Sequence, residues 1–198
     1  MNRLIFRIVL TLIIIVLGYL IIESIMNPVR FQKELDHRKE VVVDRLKDLR
    51  SIQLTYRSLN NEYAGNFDTL LLFLKNTQIP VVKIVPDPTD TTFTRTIRDT
   101  INYILAADSL LKMANYPVDS LPYIPFSEGK KFELNAGKID RGGVMVNVFE
   151  AKAHYNTFLL GMNDQLLRNL ASSETQIGRY PGLKLGSMND PSTDGNWE

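Results

Sequence analysis

The chain has few side chains of the types that carry out catalysis. It has 198 residues, no cysteine and two histidines, His37 and His154, which excludes a thiolate metal site, a disulfide framework and a cysteine nucleophile. His37 falls on a charged helical segment and His154 at a strand end, so neither is predicted to be the base of a Ser-His-Asp triad. Gly142-Gly143 lies between two alternating segments, which predicts a hairpin turn and not a phosphate-binding loop. We therefore expect no enzymatic activity, no metal and no cofactor.

The charges are balanced, which bears on possible partners. The chain carries 23 Lys+Arg and 22 Asp+Glu, and residues 24–198 carry 21 of each, because only Arg3, Arg7 and Glu23 precede them. No basic stripe alternates with aromatic residues, so nucleic acid is not an expected partner.

An apolar segment opens the chain. Ile8–Ile22 contains no charged residue, and Leu4–Met26 is long enough to span a bilayer with Arg7 and Glu23 reaching the headgroups. No small-residue cleavage site follows, so residues 1–27 are predicted to be an uncleaved transmembrane signal anchor rather than a core helix. Basic residues lie on both sides of the segment, and the charge rule alone does not set the orientation.

A long amphipathic helix is predicted for residues 28–59, as a new helix or as an extension of the span after a kink at Asn27-Pro28. An apolar residue recurs at every seventh position of this helix: Leu35, Val42, Leu49 and Tyr56. This set is the candidate interaction face, for a coiled coil or a filament. The alternative is a helix packed on the sheet of its own domain, which the small number of heptads favours for Val42–Tyr56.

The rest of residues 28–198 is predicted to form one α+β domain. Strands are expected at Gln78–Val85, Lys131–Ile139 and Val144–Ala151, the last two forming a hairpin, and Thr92–Ile97 reads as extended. Helices are expected at Ile101–Leu111 and Asn156–Leu170, while Tyr116–Phe126 and the tail Arg179–Ser187 read as loop or turn.

The end of the long helix carries a resemblance. Gln53 and Tyr56 are followed by Asn60-Asn61-Glu62-Tyr63-Ala64-Gly65 and a short leucine-bearing helix. Over residues 1–76 this resembles the periplasmic part of type IV pilins and type II secretion pseudopilins. The resemblance implies a pilin-like α+β fold, with a long helix packed on a small antiparallel sheet. The apolar segment has no Gly-Phe processing site and no internal Glu, so prepilin-peptidase processing is not predicted.

Two further resemblances concern the second half of the chain. Tyr123-Ile124-Pro125-Phe126, Val148-Phe149-Glu150-Ala151 and the tail resemble a group of uncharacterised single-span membrane proteins of Bacteroidota, which implies no particular activity. Gly195-Asn196-Trp197 is similar to the C-terminus of major pseudopilins. That likeness implies a calcium site at Asp190 and Asp194, although a plain turn accounts better for a loop without known ligand spacing.

An Asp-Ser/Thr pair followed by a small or aliphatic residue occurs five times among the thirteen aspartates. The triplet resembles the acceptor motif of general O-glycosylation in Bacteroidota, which modifies exported proteins. It implies candidate glycan sites at Thr69, Thr91, Thr100, Ser109 and Ser120. The alternative is that these pairs cap helices and form turns.

Together these features predict a single-pass inner-membrane protein with most of its chain in the periplasm. The expected function is a non-enzymatic structural or assembly subunit of a cell-envelope complex, of pseudopilus or secretion type. Its partners would be the membrane and other proteins, or copies of itself, through the N-terminal helix. The alternative is a membrane-tethered domain that binds a protein or glycan through its sheet and its aromatic, proline-rich loop with Tyr116, Tyr123 and Phe126.

Overall fold

The structure, a computed structural model, describes residues 2–86 and 96–198. The helices are α1 (Asn2–Asn60), α2 (Phe67–Asn76), α3 (Ala106–Leu110), α4 (Tyr155–Phe158) and α5 (Asp164–Gln176), with one 3-10 turn at Val118–Ser120. The strands are β1 (Gln78–Pro86), β2 (Thr96–Leu105), β3 (Glu133–Arg141), β4 (Val144–His154) and β5 (Gly182–Gly186).

Helix α1 runs from the apolar segment into the folded domain as one element of 59 residues. At 1.5 Å per residue it is about 88 Å long. Pro28 lies inside it and removes one backbone hydrogen bond, but the helix does not restart there. Of the two alternatives for residues 28–59, a new helix or an extension of the apolar segment, the structure shows the extension.

The main sheet is antiparallel, with the order β3-β4-β5. Arg141 pairs with Val144 across the turn Gly142-Gly143, whose φ angles of 64° and 86° suit the tight hairpin turn that glycine favours. This confirms the predicted hairpin. The tail, predicted to be turns, instead supplies β5, which pairs with β4 from Glu150 to His154.

The core lies between α1 and this sheet. On α1, Val42, Leu46, Leu49 and Ile52 are fully buried, and they belong to one apolar cluster with Phe149, Ala151, Leu183 and Leu185 of the sheet. The periodicity of α1 and the alternation of the strands therefore meet in a single core. The predicted α+β fold, a long N-terminal helix with a small antiparallel sheet, is confirmed.

Strands β1 and β2 form a separate two-stranded sheet with a register shift between Val81 and Val82. The strand predicted at Gln78–Val85 is confirmed. The helix predicted at Ile101–Leu111 is wrong over its first half, because β2 continues to Leu105 and α3 has only five residues. Pairing with β1 satisfies the backbone there, and β-branched residues suit a strand.

The helix predicted at Asn156–Leu170 is also corrected, because it divides into α4 and α5. Gly161 adopts a φ of 79° between them, a conformation that ends helices. Asn163 then caps α5, since its side chain accepts hydrogen bonds from the backbone N–H groups of Gln165 and Leu166.

Candidate functional site

The candidate interaction face on α1 is not available to a partner. Leu35, Val42 and Leu49 are buried in the core of their own domain, and Tyr56 packs against that core, with its ring 5.3 Å from that of Phe73. The interpretation as an interaction face is therefore wrong. The alternative, a helix packed on its own domain, describes these four residues.

Neither histidine is set up as a general base. His154 caps α4, with its Nδ1 accepting a hydrogen bond from the backbone N–H of Asn156 at 3.1 Å. His37 is exposed, and its ring centroid lies 6.1 Å from that of Phe126. Within residues 2–86 and 96–198, no group of three or more His, Asp or Glu side chains is placed to hold a metal ion.

The three aromatic residues of the proline-rich loop differ in their surroundings. Tyr116 is half-buried, and its hydroxyl donates a hydrogen bond to Asp48 Oδ2 at 2.7 Å. Tyr123 is exposed, with Lys131 Nζ 5.5 Å from its ring centroid. Phe126 is exposed at the far end of the loop. Tyr116 is therefore bound to α1, whereas Tyr123 and Phe126 are the exposed rings of the loop.

Arg45 attaches this loop to α1. Its Nη1 donates hydrogen bonds to the carbonyl oxygens of Ser120 at 2.6 Å and Tyr123 at 3.1 Å, and its guanidinium carbon lies 3.6 Å from the Tyr116 ring centroid. Burial lowers the pKa of Arg45. Burial and the hydrogen bond to Asp48 raise the pKa of Tyr116 far above its ordinary value, so the phenol stays protonated and keeps donating.

A cleft of about 340 Å³ lies beside this contact. Its walls are formed by α1 and by the segment just before Tyr116: Val41, Asp44, Arg45, Lys47, Asp48, Met113, Ala114, Asn115 and Tyr116. Arg45, Asp48 and Tyr116 are committed to one another, and Asp44 pairs with Lys47 at 2.9 Å. The polar groups of the cleft therefore act mainly to hold the loop.

Arg45 is one of four arginines of α1 that lie over an aromatic ring from another part of the domain. The pairs are Arg38 with Phe126, Arg45 with Tyr116, Arg50 with Trp197 and Arg57 with Tyr63, at 3.6 to 6.0 Å from guanidinium carbon to ring centroid. Each pair joins a loop or the C-terminal segment to the helix. Sequence reasoning missed this set, because the rings come from four separate segments.

The C-terminal segment is attached in the same way. Glu198 Oε1 accepts a hydrogen bond from Arg50 Nη2 at 2.7 Å, and Gly195 bridges to Leu185 of β5. Asp190, a candidate calcium ligand, instead forms a salt bridge with Arg141. Asp194, the other candidate, accepts a hydrogen bond from Ser192 Oγ at 3.0 Å. The two carboxylates thus face different partners, as in a plain turn.

The candidate glycan acceptors occupy different surroundings. Thr100 on β2 and Ser109 on α3 are exposed, whereas Thr69 and Ser120 are half-buried. Thr69 belongs to the first turn of α2, where its N–H donates to the cap Asn66, which is the capping role. Thr91 lies outside the described residues.

The apolar part of α1 is long and apolar enough to cross a membrane, and none of its most apolar 18-residue window is buried. It is therefore compatible with a single-pass membrane anchor. Comparison with known proteins gives no match to a family model, to a curated protein or to a solved structure.

Proposed function

We propose that this protein is a non-enzymatic structural or assembly subunit of a cell-envelope complex, of the pilin-like type that forms pseudopili and secretion systems. It would be held in the inner membrane by residues 1–27, with its domain in the periplasm. The observation that carries the proposal is helix α1, which joins an unburied apolar segment to the core of a folded domain without a linker.

The attachment of the domain to α1 supports this proposal. A flexible tether would let a domain search for ligands, whereas α1 contributes buried side chains to the core and four arginines that hold other segments. A domain built around the helix that anchors it is held at a defined distance from the membrane. Such a position suits a subunit whose neighbours must be placed in register.

Because Leu35, Val42 and Leu49 are buried, contacts between subunits through the N-terminal helix would use its apolar part. The test is chemical crosslinking and pull-down of the tagged full chain from native membranes. We expect specific complexes from the wild-type chain and their loss when residues 8–22 are replaced by leucine, which keeps the anchor but removes its surface pattern.

The matched control is replacement of Ile15 by leucine alone, which should leave the complexes intact. Membrane extraction of each variant shows that the anchor is retained. A wild-type chain that stays monomeric at saturating crosslinker, or complexes that survive the leucine replacement, would count against the subunit proposal.

A tethered binding domain for a protein partner is the second candidate. It is favoured by the apolar surface of the β1–β2 hairpin, where Ile101 and Tyr103 are exposed. In the same pull-down, Tyr103→Lys should remove the captured partner under this alternative only. Met113→Lys, at an exposed site away from the hairpin, is its control.

A further inference from the structure

The end of the domain nearest the apolar segment carries two exposed apolar side chains, Phe126 and Leu160, each 42% exposed. Both are held by Arg38. Its Nη1 donates hydrogen bonds to the carbonyl oxygens of Phe158 at 3.2 Å and Leu160 at 3.0 Å, and its guanidinium carbon lies 5.2 Å from the Phe126 ring centroid. Phe126 and Leu160 are called the proximal collar below.

The height of the proximal collar along α1 follows from a second contact of Arg38. Its Nε donates to Glu34 Oε1 at 2.7 Å, so the guanidinium lies one turn back toward the apolar segment. Glu34 is eight residues beyond Met26, which corresponds to about 12 Å along the axis. The headgroup layer on each side of a bilayer is about 5–8 Å thick. The collar residues themselves contact Arg38, so the collar lies about 12–18 Å beyond Met26 along the axis. A helix tilt of about 20° together with a bend at Pro28 would bring that side of the domain down to the headgroups.

The backbone at Phe126 is held in an unfavourable conformation. Its φ of 63° lies in the left-handed region, which bulky side chains rarely adopt. Buried Ser127 fixes the turn, since its Oγ donates to the carbonyl of Ile124 at 2.6 Å and accepts from the N–H of Lys130 at 3.1 Å. The ring contacts Arg38 on one side and is still 42% exposed, so the strained turn presents an aromatic surface that is open to a contact outside the domain.

The residues between the apolar segment and the proximal collar match a lipid surface. Arg30 and Lys33 are exposed on α1 in this interval, next to exposed Val29. Aromatic and aliphatic side chains beside basic ones are the composition that lies at the boundary of headgroups and acyl chains, with anionic lipids adding attraction.

We propose that the proximal collar docks on the phospholipid surface of the membrane that α1 enters. This inference rests on the proposed anchor, because it is the continuity of α1 that places the collar at the headgroups. A peripheral contact of this kind would set the tilt of the domain relative to the membrane, a property that the anchor alone does not determine.

The chain contains no cysteine, so single cysteines can be labelled with an environment-sensitive dye in the full protein. The labelled variants are Tyr19→Cys in the apolar segment and Leu160→Cys in the proximal collar. The third is Met145→Cys in β4 at the opposite end of the domain, where neighbouring Asn147 donates to the carbonyl of Asn61 at the end of α1. Each is reconstituted in phosphatidylcholine–phosphatidylglycerol vesicles with or without brominated acyl chains. We expect strong quenching at position 19, intermediate quenching at 160 and none at 145.

The role of Phe126 is tested in the Leu160→Cys background. Phe126→Gly removes the ring and suits the positive φ, so it should fold at least as well as the parent. We expect it to reduce the bromolipid quenching at position 160 by about threefold or more, as for an interfacial aromatic anchor. Val144→Gly, at an exposed site near the far end of the domain, is the control and should leave the quenching unchanged.

The outcomes separate this inference from the proposed function. Absence of quenching at position 19 would overturn the anchor and the inference with it. If the dye at position 19 is quenched but the dye at position 160 is as little quenched as the dye at position 145, the anchor stands and only the inference about the collar is overturned. A third outcome is a blue shift of the dye emission at position 160 that grows with the protein-to-lipid ratio but is not accompanied by bromolipid quenching. That outcome would show that a second copy of the chain covers the collar, and it would also overturn the inference.

Discussion

The two β-sheets in the described part of the chain are both antiparallel and both carry apolar side chains, yet those side chains differ in their exposure to solvent. In β4, Phe149, Ala151 and Ala153 are buried. In the β1–β2 hairpin, Val82 is 44% exposed, and Ile101 and Tyr103 are each 60% exposed. The difference lies in what covers each sheet rather than in the strands themselves.

Helix α1 accounts for this difference. Its buried residues, spaced three or four apart from Val42 to Ile52, cover one face of the three-stranded sheet. Among the hairpin side chains that the structure describes, that of Ile79, at the base, packs against the core. A two-stranded sheet on its own is marginally stable in water, so the stability of the domain should reside almost entirely in the covered sheet.

The largest expected effect is therefore in the covered sheet. Phe149→Ala should lower the free energy of unfolding by about 3–5 kcal/mol, because it removes a fully buried ring from a packed core. Tyr103→Ala, the matched change on the hairpin, should cost less than about 1 kcal/mol. Guanidinium unfolding of the full chain in detergent, followed by fluorescence of the single tryptophan, Trp197, measures both. Equal losses would show that the hairpin is as well covered as the main sheet.

A smaller loss in the free energy of unfolding is expected when Gln53 is replaced, a residue whose buried side-chain amide lies next to this core. Its Nε2 donates to the carbonyl of Ala64 at 2.8 Å, and its Oε1 accepts from the N–H of the same residue at 3.0 Å. Gln53→Leu should cost about 1–3 kcal/mol, since both backbone groups of Ala64 lose their partner in a buried setting. Gln32→Leu, at an exposed position of α1, should change the same unfolding measurement little. A neutral Gln53→Leu would mean that water reaches Ala64.

Alkaline pH should lower the stability of the domain through two partly buried tyrosines, Tyr116 and Tyr180. Burial raises the pKa of Tyr116, and it raises the pKa of Tyr180 to about 12, with Glu133 and Glu150 adding to the shift at Tyr180. A raised pKa contributes stability that is fully present below the ordinary value of about 10 and is lost as the pH rises through the folded-state value. Stability should therefore fall between pH 10 and 12, because the unfolded chain releases these protons first.

Thermal unfolding monitored by circular dichroism at pH 9 to 11.5 measures this slope. Tyr116→Phe and Tyr180→Phe should each make the fall shallower. Tyr103→Phe, on the exposed hairpin, should leave it unchanged. The explanation fails if both of the first two variants keep the wild-type slope.

The elements that sequence patterns predicted well are those with local signals. Heptad spacing located α1, and alternation around Gly142-Gly143 located the β3–β4 hairpin. The interaction face was assigned wrongly, because an apolar stripe has the same spacing whether a partner or its own sheet covers it. Strand β5 was missed because its pairing partners, β4 and Asn196, are distant contacts.

The contacts of the candidate site were the hardest to predict. Arg38 and Arg45 are seven residues apart on α1, each three residues after an apolar heptad position, Leu35 or Val42, and both are half-buried. An arginine at the margin of an apolar stripe does not by itself indicate what it binds. Their targets are carbonyl oxygens and rings from segments 71 to 122 residues away in the chain. Such contacts depend on where loops return to the helix, and side-chain type does not encode that.

The smallest expected effect concerns glycan occupancy, which should still differ between the exposed hairpin region and the loop that Arg45 holds on α1. If the acceptor triplets are used, exposed Thr100 on the hairpin and Ser109 just after it should carry glycan, whereas Ser120, whose carbonyl is bound by Arg45, should not. Intact-mass analysis and peptide mapping of protein from its native host measure this, with Thr100→Val and Ser109→Ala as variants that should each remove one glycan mass. Protein without any glycan mass would reject the acceptor interpretation. Modification of Ser120 alone would show that the loop held by Arg45 opens more readily than the hairpin, since an acceptor must be reachable by the modifying enzyme.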